Sequence, residues 1–225
     1  MDSEGFLCNE CLDRVERIRP PICKRCGLGV NGCTCNRRSN LTAGHVFDCA
    51  ISPFFYEGAI KNCIMYMKYG GHEEVARFLG YELSLEIAAQ LFARDIDILT
   101  CVPSTRKSLS KRGFNQSQSI AENLNLSDLG FSGYYEDYSL LLKSNDTAIQ
   151  HKLNAQARRE NIKNAYSLSK NRNVEGKRIL LVDDIMTTGA TGDSCAKALK
   201  FAGASKVYLA TASAVRYIAS NDCDC

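Results

Sequence analysis

Two adjacent carboxylates, Asp183 and Asp184, follow directly on the aliphatic run Ile179 to Val182, and Thr187, Thr188, Gly189, Ala190 and Thr191 come next. Two like charges side by side repel each other, and burying them costs desolvation. Taken alone, such a pair reads as one helix cap and one solvated acid. The hydroxyl-rich loop changes that reading. Its backbone N–H groups and side chains stand just before a helix, where they can wrap a phosphate at the positive end of the helix dipole. Gly189 lets the main chain approach an anion closely. A carboxylate accepts from vicinal hydroxyls, so acids beside a phosphate cradle point to a ribose 5-phosphate. The Gly-Lys-Ser/Thr of a nucleoside-triphosphatase loop is missing.

The second chemical cluster is thiol. Of 12 cysteines, Cys8, Cys11, Cys23, Cys26, Cys33 and Cys35 fall in the first 35 residues. The start lacks a basic region followed by an apolar stretch, so no export signal is read there. In a reducing compartment paired cysteines bind metal rather than form disulfides. Zinc takes four ligands at tetrahedral corners, and the two-residue gaps of "CNEC" and "CKRC" supply them in pairs. The spacing allows Cys8, Cys11, Cys23 and Cys26, or Cys23, Cys26, Cys33 and Cys35. Gly27 can take the positive φ that such a knuckle needs. Cys49, Cys63, Cys101 and Cys195 stand singly among apolar residues and read as core. Cys223 and Cys225 read as tail.

The elements that position these groups follow from periodicity. Ile60, Cys63, Ile64 and Met67 recur at helical spacing until Gly70-Gly71. A second helix spans about Glu73 to Arg94, a third about Ser117 to Leu124, and a fourth Thr191 to Gly203. "DILTCVP", "YSLLLK", "AYSL", "RILLVD" and "KVYLATASAV" read as strands. "ILLV" and "DILTCV" are apolar throughout, which suits strands covered on both faces. Alternating helices and aliphatic strands give an α/β fold with a parallel sheet and helices on both faces, whose ligands bind beyond strand carboxyl ends. The organisation expected is a zinc ribbon over 1–36, a linker and first sheet element over 37–56, and the α/β domain over 57–220. Chelation is expected to loosen the ribbon and leave the α/β domain folded.

The segment Ser104 to Gln118 is read as a loop. It holds Arg106, Lys107, Lys111 and Arg112 and no acid, so it can close over a pyrophosphate. Arg112 and Asn115 are assigned to that hood. Lys68 can reach the same charge or snorkel to solvent. Arg158 is assigned to anchor the site from the facing segment. His45, His72 and His151 stand alone and read as surface or linker residues. The 225 residues carry 45% hydrophobic and 24% charged residues and a net charge of +3. That is an ordinary globular composition with no stretch of about 18 apolar residues.

The Ile179 to Thr191 stretch resembles the PRPP-binding motif of type I phosphoribosyltransferases. "RGFNQSQSIAENL" (112–124), "MKYGG" (67–71) and "TAIQHKLNAQARRENIKNAY" (147–166) are similar, in order, to segments of the ComF family, which also carries an amino-terminal cysteine ribbon. The resemblance implies that Asp183 and Asp184 hold the ribose hydroxyls and Thr187 to Thr191 the 5-phosphate, with magnesium accompanying PRPP. Many relatives carry a further Cys-x-x-Cys pair before the one matching Cys8 and Cys11, and this chain begins after that point. The last pair is Cys-x-Cys. One zinc, through Cys23, Cys26, Cys33 and Cys35, is therefore expected. The family implies a cytoplasmic protein linked to uptake of transforming DNA. Two functions follow: phosphoribosyl transfer to an acceptor that the sequence does not name, or PRPP-linked handling of nucleic acid without transfer. The second draws on Lys107 to Arg112, Lys152 to Lys163, Arg37-Arg38 and tyrosines suited to stacking on single-stranded DNA. A sensor with neither activity is the plainest alternative. No membrane span is expected, and a homo-oligomer is compatible with the reading.

Overall fold

In the computed structural model, residues 6–29, 33, 45–90, 96–143 and 165–216 are described. The apolar runs form one sheet of six strands: β1 (Cys49–Ile51), β2 (Phe54–Phe55), β3 (Ile98–Cys101), β4 (Tyr135–Glu136), β7 (Arg178–Met186) and β8 (Lys206–Ala214). The order is β1-β8-β7-β3-β4, with β2 also on β8, and every pairing is parallel. β5 (Leu141–Lys143) and β6 (Tyr166–Leu168) form a separate antiparallel pair.

Both faces of the sheet are covered, which is why "ILLV" is apolar throughout. Leu180 and Val182 pack with α2 (Gly58–Gly70), α3 (Glu74–Ala89) and α5 (Gln116–Glu122). Ile179 and Leu181 pack against Cys195 and Leu199 of α6 (Ala190–Phe201). α2 buries Ile60, Cys63, Ile64 and Met67, the face its spacing predicts, and Gly71 ends it in the left-handed region. The fold class expected from the sequence is the one observed. The four cysteines assigned to the core are buried, and burial pushes the Cys49 and Cys101 thiols up to about 12.

Three expectations change. Arg106–Arg112 is a short helix, α4, not part of a loop; Thr105 accepts from the Ser108 N–H at one end and Gly113 turns left-handed at the other. α4 buries no residue, so no apolar stripe announces it. Strand β7 does not stop at the aspartates but runs on to Met186, because Ile185 and Met186 still pair with Ser213 and Ala214 of β8. The third change concerns the ribbon, whose described part is built into the sheet edge. Arg17 bridges Phe54 in antiparallel fashion, with Ile18 N–H donating to the Pro53 carbonyl at 2.9 Å and Phe55 N–H to that of Glu16 at 3.1 Å. Cys26 and Leu28 share a core with Phe47, Ala50 and α6. Arg17 also reaches Glu82 on α3 at 2.8 Å. An independent ribbon would not own part of the core, so chelation should reach the sheet as well.

Gly27 marks the tightest point of that contact. Its φ is +70°, and a Cβ there would lie 2.5 Å from the Ala50 carbonyl oxygen. Gly27→Ala is thus both strained and blocked by backbone. A melting temperature lower by on the order of 5 °C or more is expected, and an unchanged melt would mean that the knuckle does not seat on β1.

Candidate functional site

The acid pair lies in the carboxyl-terminal half of the central strand, β7. Asp183 is held from two sides: Ser117 Oγ donates to its Oδ1 at 2.8 Å, and the Asp184 N–H donates to the same oxygen at 2.9 Å. Asp184 is paired with Lys68, whose Nζ lies 2.7 Å from Oδ2, both side chains being about 15% exposed (15% and 14%). The helix carrying Lys68 ends against this site because its other face is locked into the core. Burial, and after it the Asp184 charge, push Asp183 up to about 7, against the pull of Ser117, the Asp184 N–H and Lys68. Two carboxylates thus share one nearby ammonium, and the site is built to welcome hydroxyl donors or a further positive charge.

Ser117 was not singled out by sequence reasoning, although it follows Asn115 at the start of a helix. It donates to the ionised form of Asp183. Ser117→Ala should raise the Asp183 titration by about one unit or more, as read by carbon NMR of the carboxyl group. An unmoved midpoint would remove Ser117 from the site.

Past the strand, Thr187, Thr188 and Thr191 are exposed and Gly189 is buried at φ 78°. Gly189 precedes the first turn of α6, and Thr188 Oγ1 accepts from the Ala190 N–H at 3.3 Å. The loop therefore offers hydroxyls and main-chain N–H groups at the positive end of a 12-residue helix. His45 is not the isolated residue expected. Its Nδ1 lies 2.9 Å from Asp193 Oδ2, its ring stacks on Phe47 at 4.4 Å, and it sits where a Cβ on Gly189 would fall, 2.6 Å from Cε1. The linker thus folds back to brace the loop. No local signal in "AGHVFD" reveals a partner 148 residues away.

The basic segment is arranged differently from the hood predicted. Asn115 is committed to structure: its amide donates to the Val102 carbonyl at 3.0 Å, and its oxygen accepts from Ser104 Oγ and from the Ser117 N–H, capping α5. Arg112 donates to Gln116 Oε1 at 2.9 Å. Arg158 lies outside the described residues, as do Lys152 to Lys163 and Arg37-Arg38.

The cysteines divide into two places. Sulfurs of Cys23, Cys26 and Cys33 lie within 4.8 Å of one another, with Cys26 and Cys33 at 3.6 Å. Thiolates on a tetrahedral zinc, at about 2.3 Å each, stand about 3.8 Å apart, so the cluster has the shape to hold a metal. Burial raises the Cys23 thiol, but N–H groups of Cys26 and Arg25 and the adjoining thiols bring it down to about 7. Cys35, the fourth expected ligand, lies outside the described residues. Cys8 and Cys11 are not brought to this cluster. They are free thiols at the start of the short helix α1 (Asn9–Asp13) and share a hydrogen bond, beside Phe6 and Leu7, which pack on the opposite core from Cys26. Of the two ligand sets the spacing allows, the cluster among the described residues matches three members of Cys23, Cys26, Cys33 and Cys35.

Residues 86–217, which carry β3, the acid pair and the loop, match the model of the phosphoribosyl transferase domain family. The chain belongs to that family. Relatives match this chain over nearly its full length. It is 29% identical over 213 residues to the DNA utilization protein YhgH of Escherichia coli O157:H7, covering 89% of this chain and 87% of that protein. Competence protein F of Haemophilus influenzae is 24% identical over 91% of this chain and 89% of its own. Competence protein ComFC of Bacillus subtilis is 23% identical over 86% and 77%. These relatives set it in the ComF branch of the phosphoribosyltransferases. Among the described residues, no helix is long and apolar enough to cross a membrane.

Proposed function

We propose that the chain binds magnesium-PRPP at Asp183, Asp184 and Thr187 to Thr191 and transfers its phosphoribosyl group in the service of DNA handling. The observation that carries this is the crowded acid pair beside a hydroxyl-bearing loop at a helix start. The 5-phosphate sits on the N–H groups and hydroxyls of the loop, and Asp183 and Asp184 accept from the ribose hydroxyls. Arrival of the sugar gives the two carboxylates further donors, and Lys68 is freed to turn toward the pyrophosphate. Pyrophosphate leaves C1 with the bonding electron pair, stabilised by Lys68 and Arg112, and the acids stabilise the positive charge left on the ribose ring. A nucleophilic atom of the acceptor closes the new bond to C1 and releases its proton to solvent. Magnesium enters with PRPP as part of the substrate. Zinc holds the ribbon through Cys23, Cys26, Cys33 and Cys35.

The setting is cytoplasmic, where PRPP is made, and the partner is DNA, as the names of the competence and DNA utilization relatives suggest. A second reading, PRPP as a bound signal without transfer, draws on one observation. Cys101, at the end of β3, is pushed up to about 12 by burial and the Asp183 charge, which keeps the thiol nearest the acid pair on that strand protonated near neutral pH. Calorimetric titration of magnesium-PRPP followed by pyrophosphate release tests both. Saturable binding is expected; a folded protein that binds nothing overturns the proposal, and binding without release in the presence of DNA or free bases selects the second reading.

A further inference from the structure

The last turn of α2 carries an aromatic surface that the PRPP site does not use. Tyr66 and Tyr69 are 58% and 60% exposed, three residues apart and so on one helix face. The opposite face of α2 is anchored in the core through Ile60, Ile64 and Met67, which makes the tyrosines a rigid platform. The Tyr66 ring is already stacked on His72, with centroids 4.2 Å apart and planes 16° from parallel. Tyr69 is approached by two cations of α4, Lys111 Nζ at 5.8 Å and Arg112 Cζ at 5.6 Å from its centroid. α4 presents Arg106, Lys107, Lys111 and Arg112, contains no acid and buries nothing. Glu74, which follows α2 by four residues, is tied to His72 at 2.7 Å. Lys68, between the tyrosines in sequence, holds Asp184, so the platform adjoins the mouth of the ribose site.

Scattered exposed aromatics need no explanation. Here two face the same way, are held rigidly and are bordered by the positive charge of Lys111 and Arg112. Flat rings for bases and cations for the backbone are what sequence-tolerant binding of a single strand requires. A double helix hides its bases and a phosphopeptide has no use for a second flat ring. We infer that Tyr66, Tyr69 and His72, with Lys111 and Arg112, form a docking surface for single-stranded DNA beside the PRPP site. The inference rests on the DNA-handling reading and adds the surface that performs it. Successive bases stack on Tyr66 and Tyr69 while α4 neutralises the phosphates, leading the strand past the mouth where phosphoribosyl chemistry takes place.

The test uses the whole protein and a fluorescently labelled oligothymidylate, compared with an abasic oligomer of equal length and charge. Wild type should bind the thymidylate at least about ten-fold more tightly than the abasic strand. Tyr66→Leu with Tyr69→Leu should erase that preference with the melting temperature kept and the salt slope unchanged. Lys111→Gln should instead lower the slope by about 0.7 and keep the preference. The chain has no tryptophan, so quenching of tyrosine emission by the thymidylate gives an independent readout that the double variant should reduce. Wild-type binding that the tyrosine variant reproduces unchanged overturns the platform alone. No wild-type binding at low salt overturns the platform and the DNA-handling reading together.

Discussion

Asp183→Asn is expected to weaken PRPP binding by at least about ten-fold while raising the melting temperature at pH 8. A hydrogen bond to a charged group contributes about 1.5–3 kcal/mol, and the ribose hydroxyls lose one such acceptor. The stability sign comes from titration. Asp183 is held at about 7 in the folded chain against an ordinary 3.8. Between those values the folded state binds more protons than the unfolded one, so this group's contribution falls as pH rises from about 4 to about 7 and is flat above. The neutral amide removes that slope and the repulsion with Asp184. Asp184→Asn should act oppositely on stability, because it strands Lys68 at a site where both side chains are about 15% exposed (15% and 14%). Combining the two should abolish measurable PRPP binding. Calorimetry paired with melts across pH decides it; full affinity in folded Asp183→Asn, or a melt that keeps the wild-type pH slope, refutes the assignment.

Stripping the metal should produce one cooperative loss, not a frayed amino terminus on an intact domain. Cys26 is at once a member of the thiol cluster and a core residue packed with Ala50 and α6. Without a metal the three thiols crowd one another, the knuckle opens, and the N–H of Ala50 loses its 3.0 Å bond to the Arg25 carbonyl. The edge of β1 is then bare. Structural zinc contributes on the order of 10 kcal/mol in small peptides. Even a fraction of that, spread over this chain, lowers the melting temperature by on the order of 10 °C or more. Chelator-treated protein and Cys26→Ser should agree. A chelated protein that melts at the original temperature would restore the detached ribbon.

What could be read from the sequence was what local chemistry dictates. "ILLVDD" declared a strand covered on both sides and carrying an acid pair, though not its end at Met186, and the buried face of α2 showed in its spacing. α4 was read as loop because a helix with no buried face leaves no stripe; its real signals were Thr105 as cap and Gly113 as stop. Asn115 looked like a ligand residue because its part as the cap of α5 depends on the turn around it. Ser117 and His45 matter only through Asp183 and Asp193, partners 66 and 148 residues distant. No pattern in a single chain encodes such contacts.

The place of β8 has a consequence for the birth of the molecule. β1 lies beside β8 in the sheet, and the Ser52–Thr211 hydrogen bond joins residues 159 apart. Arg216, from just beyond β8, returns to Glu16 and Glu57. A ribosome adding roughly 5–20 residues per second takes on the order of ten seconds or more to deliver that strand after β1 has emerged. Through that interval the nascent ribbon is out and able to take up its ion, yet has no sheet to dock on. Metallation can thus precede folding, and the sheet closes only once β8 has emerged, a long-range closure of the kind that slows folding.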